Sequence, residues 1–185
     1  MRKFIILSSI FTLLFVIEAF AQVNFNFNAV GVQAGYVKPE DPIESTIGFG
    51  ARAELGTLMK ENISMGAMVD YWSKKYGEGT GVEVTFSQML LAPYVHYNFA
   101  TQGSFVPYAG GGVGLAFNSS KVEYTSSFFG VGGSSSTSDT DFVIFGVGGA
   151  KMNFNEKMAG FAEARYMIGD VDALSVVVGF LYSLH

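Results

Sequence analysis

The sequence predicts an all-β protein, a single eight-stranded antiparallel up-and-down transmembrane β-barrel. Three observations carry this. Apolar residues alternate with small or polar ones at period two, in segments of about ten residues. Polar or glycine-rich turns separate the segments. Hydrophobic residues make up 49% of the 185 residues, yet no stretch after residue 21 approaches the roughly 20 apolar residues that a spanning helix needs. Abundant glycine (23), 15% aromatics and only 4 prolines suit strands that pack closely, anchor at interfaces and turn often.

The chain opens with Met1-Arg2-Lys3, an apolar run from Phe4 to Ile17, and Ala19-Phe20-Ala21 before Gln22. This is the pattern of a secretory signal peptide, residues 1–21, cleaved after Ala21. As a helix the apolar run rises only about 21 Å against a hydrocarbon core of about 30 Å, so it reads as a leader rather than an anchor. Residues 22–185 then form one barrel domain, a size that suits one closed sheet.

Each expected strand follows from its alternation. Residues 28–37 place Val30, Val32, Ala34 and Tyr36 outward against Gly31, Gln33 and Gly35. Residues 47–56 oppose Ile47, Phe49 and Leu55 to Arg52 and Glu54, and residues 62–72 oppose Ile63, Val69 and Tyr71 to Met68, Asp70 and Trp72. Residues 88–99 turn Met89, Leu91, Val95 and Tyr97 outward, although Val82, Val84 and Phe86 keep the other parity; a bulge near Ser87 would reconcile the two. Residues 105–118 set Phe105, Val113, Leu115 and Phe117 against Tyr108 and a run of glycines. Residues 142–153 form a sixth strand of undetermined facing. In residues 159–168, Ala162, Ala164, Tyr166 and Ile168 face outward with Glu163 and Arg165 inward. The last segment is the clearest: Leu174, Val176, Val178, Phe180, Tyr182 and Leu184 share one face.

Short connections at 57–61, 100–104 and 153–157 alternate with longer ones at 38–46, 73–81 and 119–140, as expected of tight periplasmic turns and wide external loops; only 169–172 breaks the trend. In the longest loop, the Gly/Ser-rich run 130–138 reads as a flexible tip, while Val122, Tyr124, Phe128 and Phe129 could extend strands beyond the membrane. Tyr36, Tyr71 and Tyr166 at the outer strand ends, with Tyr97, Phe99, Phe105 and Tyr182 at the inner ends, suit two interfacial girdles.

Parity sends Arg52, Glu54, Asp70, Glu163 and Arg165 into the lumen, with His96 beside them. Eight strands enclose a space just wide enough for side chains, so these charges are expected to pair and plug it rather than line an ion path. With no cysteine, the chain has no disulfide and no thiol nucleophile. The net charge of −5 becomes one unit more negative once Arg2, Lys3 and Glu18 leave with the leader, which argues against nucleic acid as a partner. Gly146-Val147-Gly148-Gly149-Ala150-Lys151 sits on a strand and lacks the Ser or Thr of a phosphate loop, so no cofactor is expected. A general base is scarce, His96 and His185 being the only histidines, so no catalytic residue is assigned. Asp139-x-Asp141 and Asp170-x-Asp172 could hold a divalent cation, but solvated surface charge is the expected role.

Val106-Pro107-Tyr108-Ala109-Gly110-Gly111-Gly112-Val113-Gly114-Leu115-Ala116, Glu163-Ala164-Arg165-Tyr166 and the closing Val178-Gly179-Phe180-Leu181-Tyr182-Ser183-Leu184 together resemble the OmpA/OmpX-like outer-membrane β-barrel domain family, often labelled porin family. The resemblance covers Gln22 to His185. It implies the Gram-negative outer membrane, with its lipid and lipopolysaccharide as surroundings. It also implies delivery to the barrel-assembly machinery through a final-strand signal, met by Gly179, Tyr182 and Leu184, although His185 stands where an aromatic terminus is usual. The expected function is a non-enzymatic envelope protein presenting extracellular loops. The alternatives are adhesion or partner binding through the 119–140 loop, a lipid A-modifying enzyme, and a small-solute porin.

Overall fold

The computed structural model describes residues 23–77, 79, 81–125 and 132–184. The expected leader, its cleavage point after Ala21, the loop residues Phe128, Phe129 and Gly130, and the terminal His185 lie outside the described residues. Eight strands follow in chain order: β1 (Val23–Pro39), β2 (Thr46–Leu58), β3 (Lys60–Tyr76), β4 (Val82–Asn98), β5 (Phe105–Thr125), β6 (Gly132–Asn153), β7 (Met158–Ile168) and β8 (Ala173–Ser183). Each pairs antiparallel with the next, and β1 closes on β8 from Ala29↔Ser183 to Pro39↔Ala173.

The alternation of residue types becomes an alternation of environments. On β8, Val176, Val178 and Phe180 lie on the outer surface while Ser175, Val177 and Leu181 are buried inside. On β2, Phe49 is 63% exposed and Arg52 only 6%. In water such a surface would aggregate; in a bilayer it is what an apolar solvent selects, because closure leaves no strand edge within the hydrocarbon. Tyr36, Tyr71 and Tyr166 stand exposed toward one end of the wall, and Tyr97, Phe99, Phe105 and Tyr182 toward the other.

Register settles the sixth strand. Because β6 pairs β5 from Phe105↔Met152 upward, Val143, Phe145 and Val147 point inward and Phe142, Ile144 and Met152 outward.

Two expectations need correction. β4 carries no bulge near Ser87: its pairs with β3 run from Ile63↔Tyr97 to Tyr76↔Val84 without a shift. Phe86 instead faces inward and packs with Ile43 on the top of the buried core. Above the bilayer the outer face meets water and the inner face covers the core, so the apolar parity inverts without any change of geometry. The irregular registers lie at the other end, between Phe25 and Ala29 of β1 and between Glu54 and Gly56 of β2, where Gly56 takes a φ of 120° that side-chain-bearing residues avoid. The second correction concerns the longest loop. Its segment 132–138 is not a flexible tip but the start of β6, continuously paired with β5 up to Thr125↔Gly132.

Candidate functional site

The interior is filled in layers. One apolar cluster gathers Val37, Met68, Trp72, Leu90, Phe145 and Met167 among others, and a smaller one holds Ala29, Ala159, Phe161, Val177 and Leu181. Charged groups touch both. Arg52, on β2, reaches across the barrel to Glu163 on β7 in a two-pronged pair, Nη1 to Oε2 at 3.0 Å and Nη2 to Oε1 at 2.7 Å. Its guanidinium lies 3.9 Å from the centre of the Phe161 ring and 5.6 Å from that of Tyr94. Gly179 makes room for that Phe161 ring, which a Cβ at this position would strike. The proposed assembly glycine therefore also has a packing role.

The network extends from this pair. Arg165 donates through Nη2 to Glu163 Oε1 at 2.6 Å and through Nη1 to Asp70 Oδ2. Tyr108 donates its hydroxyl to Glu163 Oε2 at 2.6 Å, and Arg52 Nε donates to Gln33 Oε1 at 2.6 Å. Gln33 Nε2 in turn donates to Asp70 Oδ1. Two guanidiniums and two carboxylates thus balance in charge, with the carboxylates also accepting from Gln33 and Tyr108, the arrangement that makes buried charge tolerable, while the buried Arg165 Nε makes no hydrogen bond within the protein. Such forked contacts suit arginine and not lysine.

The structure brings Arg52, Asp70, Glu163 and Arg165 into one network. Glu54 stands apart, half-buried and paired with Lys151 Nζ at 3.4 Å. Lys151, read from the sequence only as the end of a glycine-rich run, was not expected among the inward charges because the facing of its strand was open; the pair Val106↔Lys151 turns it inward. Gln33 was read as inward but not as a partner, since parity gives a direction and not a reach. His96 is buried between the rings of Tyr94 and Tyr108, stacked at 4.4 and 4.6 Å.

A recess of about 440 Å³ opens at the end opposite the long hairpin, beside Ala29, Glu54, Lys151 and Leu181, while deeper in the lumen the spaces measure about 40 Å³, beside Gln33, Asp70, Trp72 and Gln88, and about 10 Å³, beside Arg52, His96 and Tyr108. The deeper spaces suit individual waters, since one water needs roughly 10–15 Å³. Toward the long-hairpin end an amide relay continues: Trp72 Nε1 to Gln88 Oε1 at 3.0 Å, Gln88 Nε2 to Asn118 Oδ1 at 2.8 Å, and Asn118 Nδ2 to Asp141 Oδ2 at 2.6 Å. At the rim, carboxylate oxygens of Asp139, Asp141 and Asp170 lie within 4.8 Å of one another. Asp172, the fourth member of the sequence pattern, instead accepts from Gly169 N and from the Tyr166 hydroxyl.

A closed sheet of eight up-and-down strands, greasy outside and plugged by paired charge inside, defines an integral β-barrel membrane protein. The chain belongs to the outer membrane protein beta-barrel domain family, whose model matches residues 7–183. Its fold is similar to that of Neisserial surface protein A, at a TM-score of 0.61 and 16% identity, covering 87% of this chain and 99% of that one. It is also similar to Ail, the attachment invasion locus protein of Yersinia pestis, at 0.52 and 15%, covering 86% and 100%. No curated protein sequence matches the chain.

Proposed function

We propose that the protein is a non-enzymatic integral outer-membrane barrel that contributes to envelope structure and presents extracellular loops, with a lumen too full to pass solutes. The observation that carries this reading is the Arg52–Glu163 pair, which spans the lumen between β2 and β7 with side chains 3% and 1% exposed. An ion path would require that contact to open, and breaking one side of a buried pair costs about 3–5 kcal/mol. The acyl chains of outer-membrane lipid and lipopolysaccharide are the partners of the outer wall. The assembly machinery would read Gly179, Tyr182 and Leu184, the latter two exposed on the outer face. Export through the leader, with removal after Ala21, is part of the same proposal.

Planar-bilayer recording tests it. The purified barrel should give no steady unitary current; large, long-lived, uniform openings would overturn the sealed lumen. Lipid A examined by mass spectrometry should be unchanged by expression of the protein, and a new acylation or deacylation product would overturn the non-enzymatic reading.

A second reading, binding of a surface partner through the β5–β6 hairpin, has one specific observation behind it. The hairpin continues as a paired ladder well beyond the last β6–β7 pair, Ile144↔Ile168. An ordered projection presents a fixed surface where a coil would not. Deleting residues 126–138 should then abolish attachment to a target cell surface, and unchanged attachment would remove this reading.

A further inference from the structure

The barrel is filled unevenly along its length. At the end of the short turns the recess of about 440 Å³ has the size of a small-molecule site, whereas beside Arg52, His96 and Tyr108 only about 10 Å³ remains. A ligand entering from that end stops at the charged layer. The floor of the recess is a looser pair than those above it. Lys151 Nζ on β6 stands 3.4 Å from Glu54 Oε1 on β2, against 2.7 Å from Arg52 Nη2 to Glu163 Oε1. The two side chains are 22% and 19% exposed, partly desolvated without being sealed. An ammonium carries three donors and a carboxylate accepts at either oxygen, so this contact leaves both groups capacity for a ligand beside them.

The rim is formed before any ligand arrives. Asn155 Oδ1 accepts from Lys157 N at 2.9 Å and from Met158 N at 2.8 Å, and Ser183 N donates to Lys157 O at 2.8 Å, which ties the β6–β7 turn to β8. This turn sets Glu156 and Lys157 at the mouth, while the buried Ala29, Ala159 and Leu181 give the recess an apolar wall. A site ordered in advance loses little entropy on binding. The charges of the lining balance, Lys151 and Lys157 against Glu54 and Glu156. A dianion such as phosphate would meet Glu54 as closely as it meets Lys151. A single negative charge with an N–H donor next to it suits both floor groups, and the free end of a peptide chain has that combination.

We propose that this recess binds the free carboxyl end of a short peptide with small apolar side chains, its terminal carboxylate on Lys151, its last main-chain N–H on Glu54 and its side chains against the apolar wall. The site lies at the opposite end from the presented loops and gives the barrel a task beyond envelope structure.

The test titrates N-acetyl-Ala-Ala into the isotope-labelled full barrel in lipid nanodiscs, where both ends are open to solution, and follows the amide shifts by nuclear magnetic resonance. Shifts should arise at Lys151, Ala159 and Leu181 and not at Ala173, at the other end of β8. The same peptide closed by a C-terminal amide should bind more weakly by about tenfold or more, as should a form N-methylated at its last residue, since each loses a bond to a charged group. Lys151→Gln should lower the affinity for the acid to that of the amide while keeping the heat-modifiable gel mobility of a folded barrel. Inorganic phosphate at the same concentration as the peptide should not displace it. No binding, equal binding of acid and amide, or undiminished binding to folded Lys151→Gln would overturn the site; displacement by phosphate would make it a general anion site and overturn the peptide; equal binding of the N-methylated form would overturn the role of Glu54. If Lys151→Gln does not fold, the acid and amide forms on the unaltered barrel decide alone. Failure here leaves the sealed envelope barrel standing, since planar-bilayer recording tests that separately.

Discussion

Replacing Glu163 by Gln probes the plug with almost no change of shape. Four hydrogen bonds converge on this carboxylate, two from Arg52 at 3.0 and 2.7 Å and one each from Arg165 and Tyr108 at 2.6 Å, and its side chain is 1% exposed. A glutamine offers one acceptor oxygen in place of two and turns an N–H₂ toward arginine N–H groups that can only donate, with the Tyr108 hydroxyl as the one neighbour of the carboxylate able to accept. The layer also loses its balance, since Arg52 and Arg165 would then face Asp70 alone. Uncompensated buried charge of this kind costs about 3–5 kcal/mol, a large share of a typical stability of about 5–15 kcal/mol. Reversible urea unfolding in lipid vesicles, read by heat-modifiable gel mobility, should show that loss. Adding Arg52→Met to Glu163→Gln restores the charge balance, and the double variant should be more stable than Glu163→Gln alone by about 1–3 kcal/mol. A loss below about 1 kcal/mol for Glu163→Gln, with no recovery in the double variant, would mean that water already screens these charges and that the lumen is open.

The wall makes its own predictions. Val178→Arg, midway along β8 on the outer face, should destabilise the folded barrel by about 2–4 kcal/mol in bilayers, and a neutral effect in the same unfolding assay would place that face away from lipid. Trp72 is the single tryptophan and lies inside, 6% exposed, with its indole N–H on Gln88. Its fluorescence should be barely quenched by brominated acyl chains, and strong quenching would contradict the inward assignment of β3.

The spanning region was legible because lipid and a tight lumen impose opposite demands on neighbouring residues. Leu174 to Leu184 and Ile47 to Leu55 record that contrast directly. Where the contrast vanishes, so does the signal. Residues 132–141 stand beyond the membrane with water on both faces, and their Gly/Ser composition reads as a linker although pairing with Ser119 to Thr125 makes them strand. Val82, Val84 and Phe86 misled for a related reason: their parity marks the height at which the outer solvent changes from acyl chain to water. Within the site, parity alone placed Arg52, Asp70, Glu163 and Arg165 in the lumen, since a charge has nowhere else to go. Which charge meets which depends on how the ring closes. The Arg52–Glu163 contact joins residues far apart in sequence on strands that are not neighbours, and Lys151 needed a register that its glycine-rich strand did not disclose.

The absence of native cysteine allows the central claim to be tested without background. Single cysteines placed in turn at positions 174–183, spin-labelled in lipid vesicles, should alternate strictly: accessible to oxygen dissolved in the acyl chains at even positions, and shielded at odd ones. A uniform profile, or one repeating every three to four residues, would contradict a barrel wall with lipid on one side and a packed interior on the other.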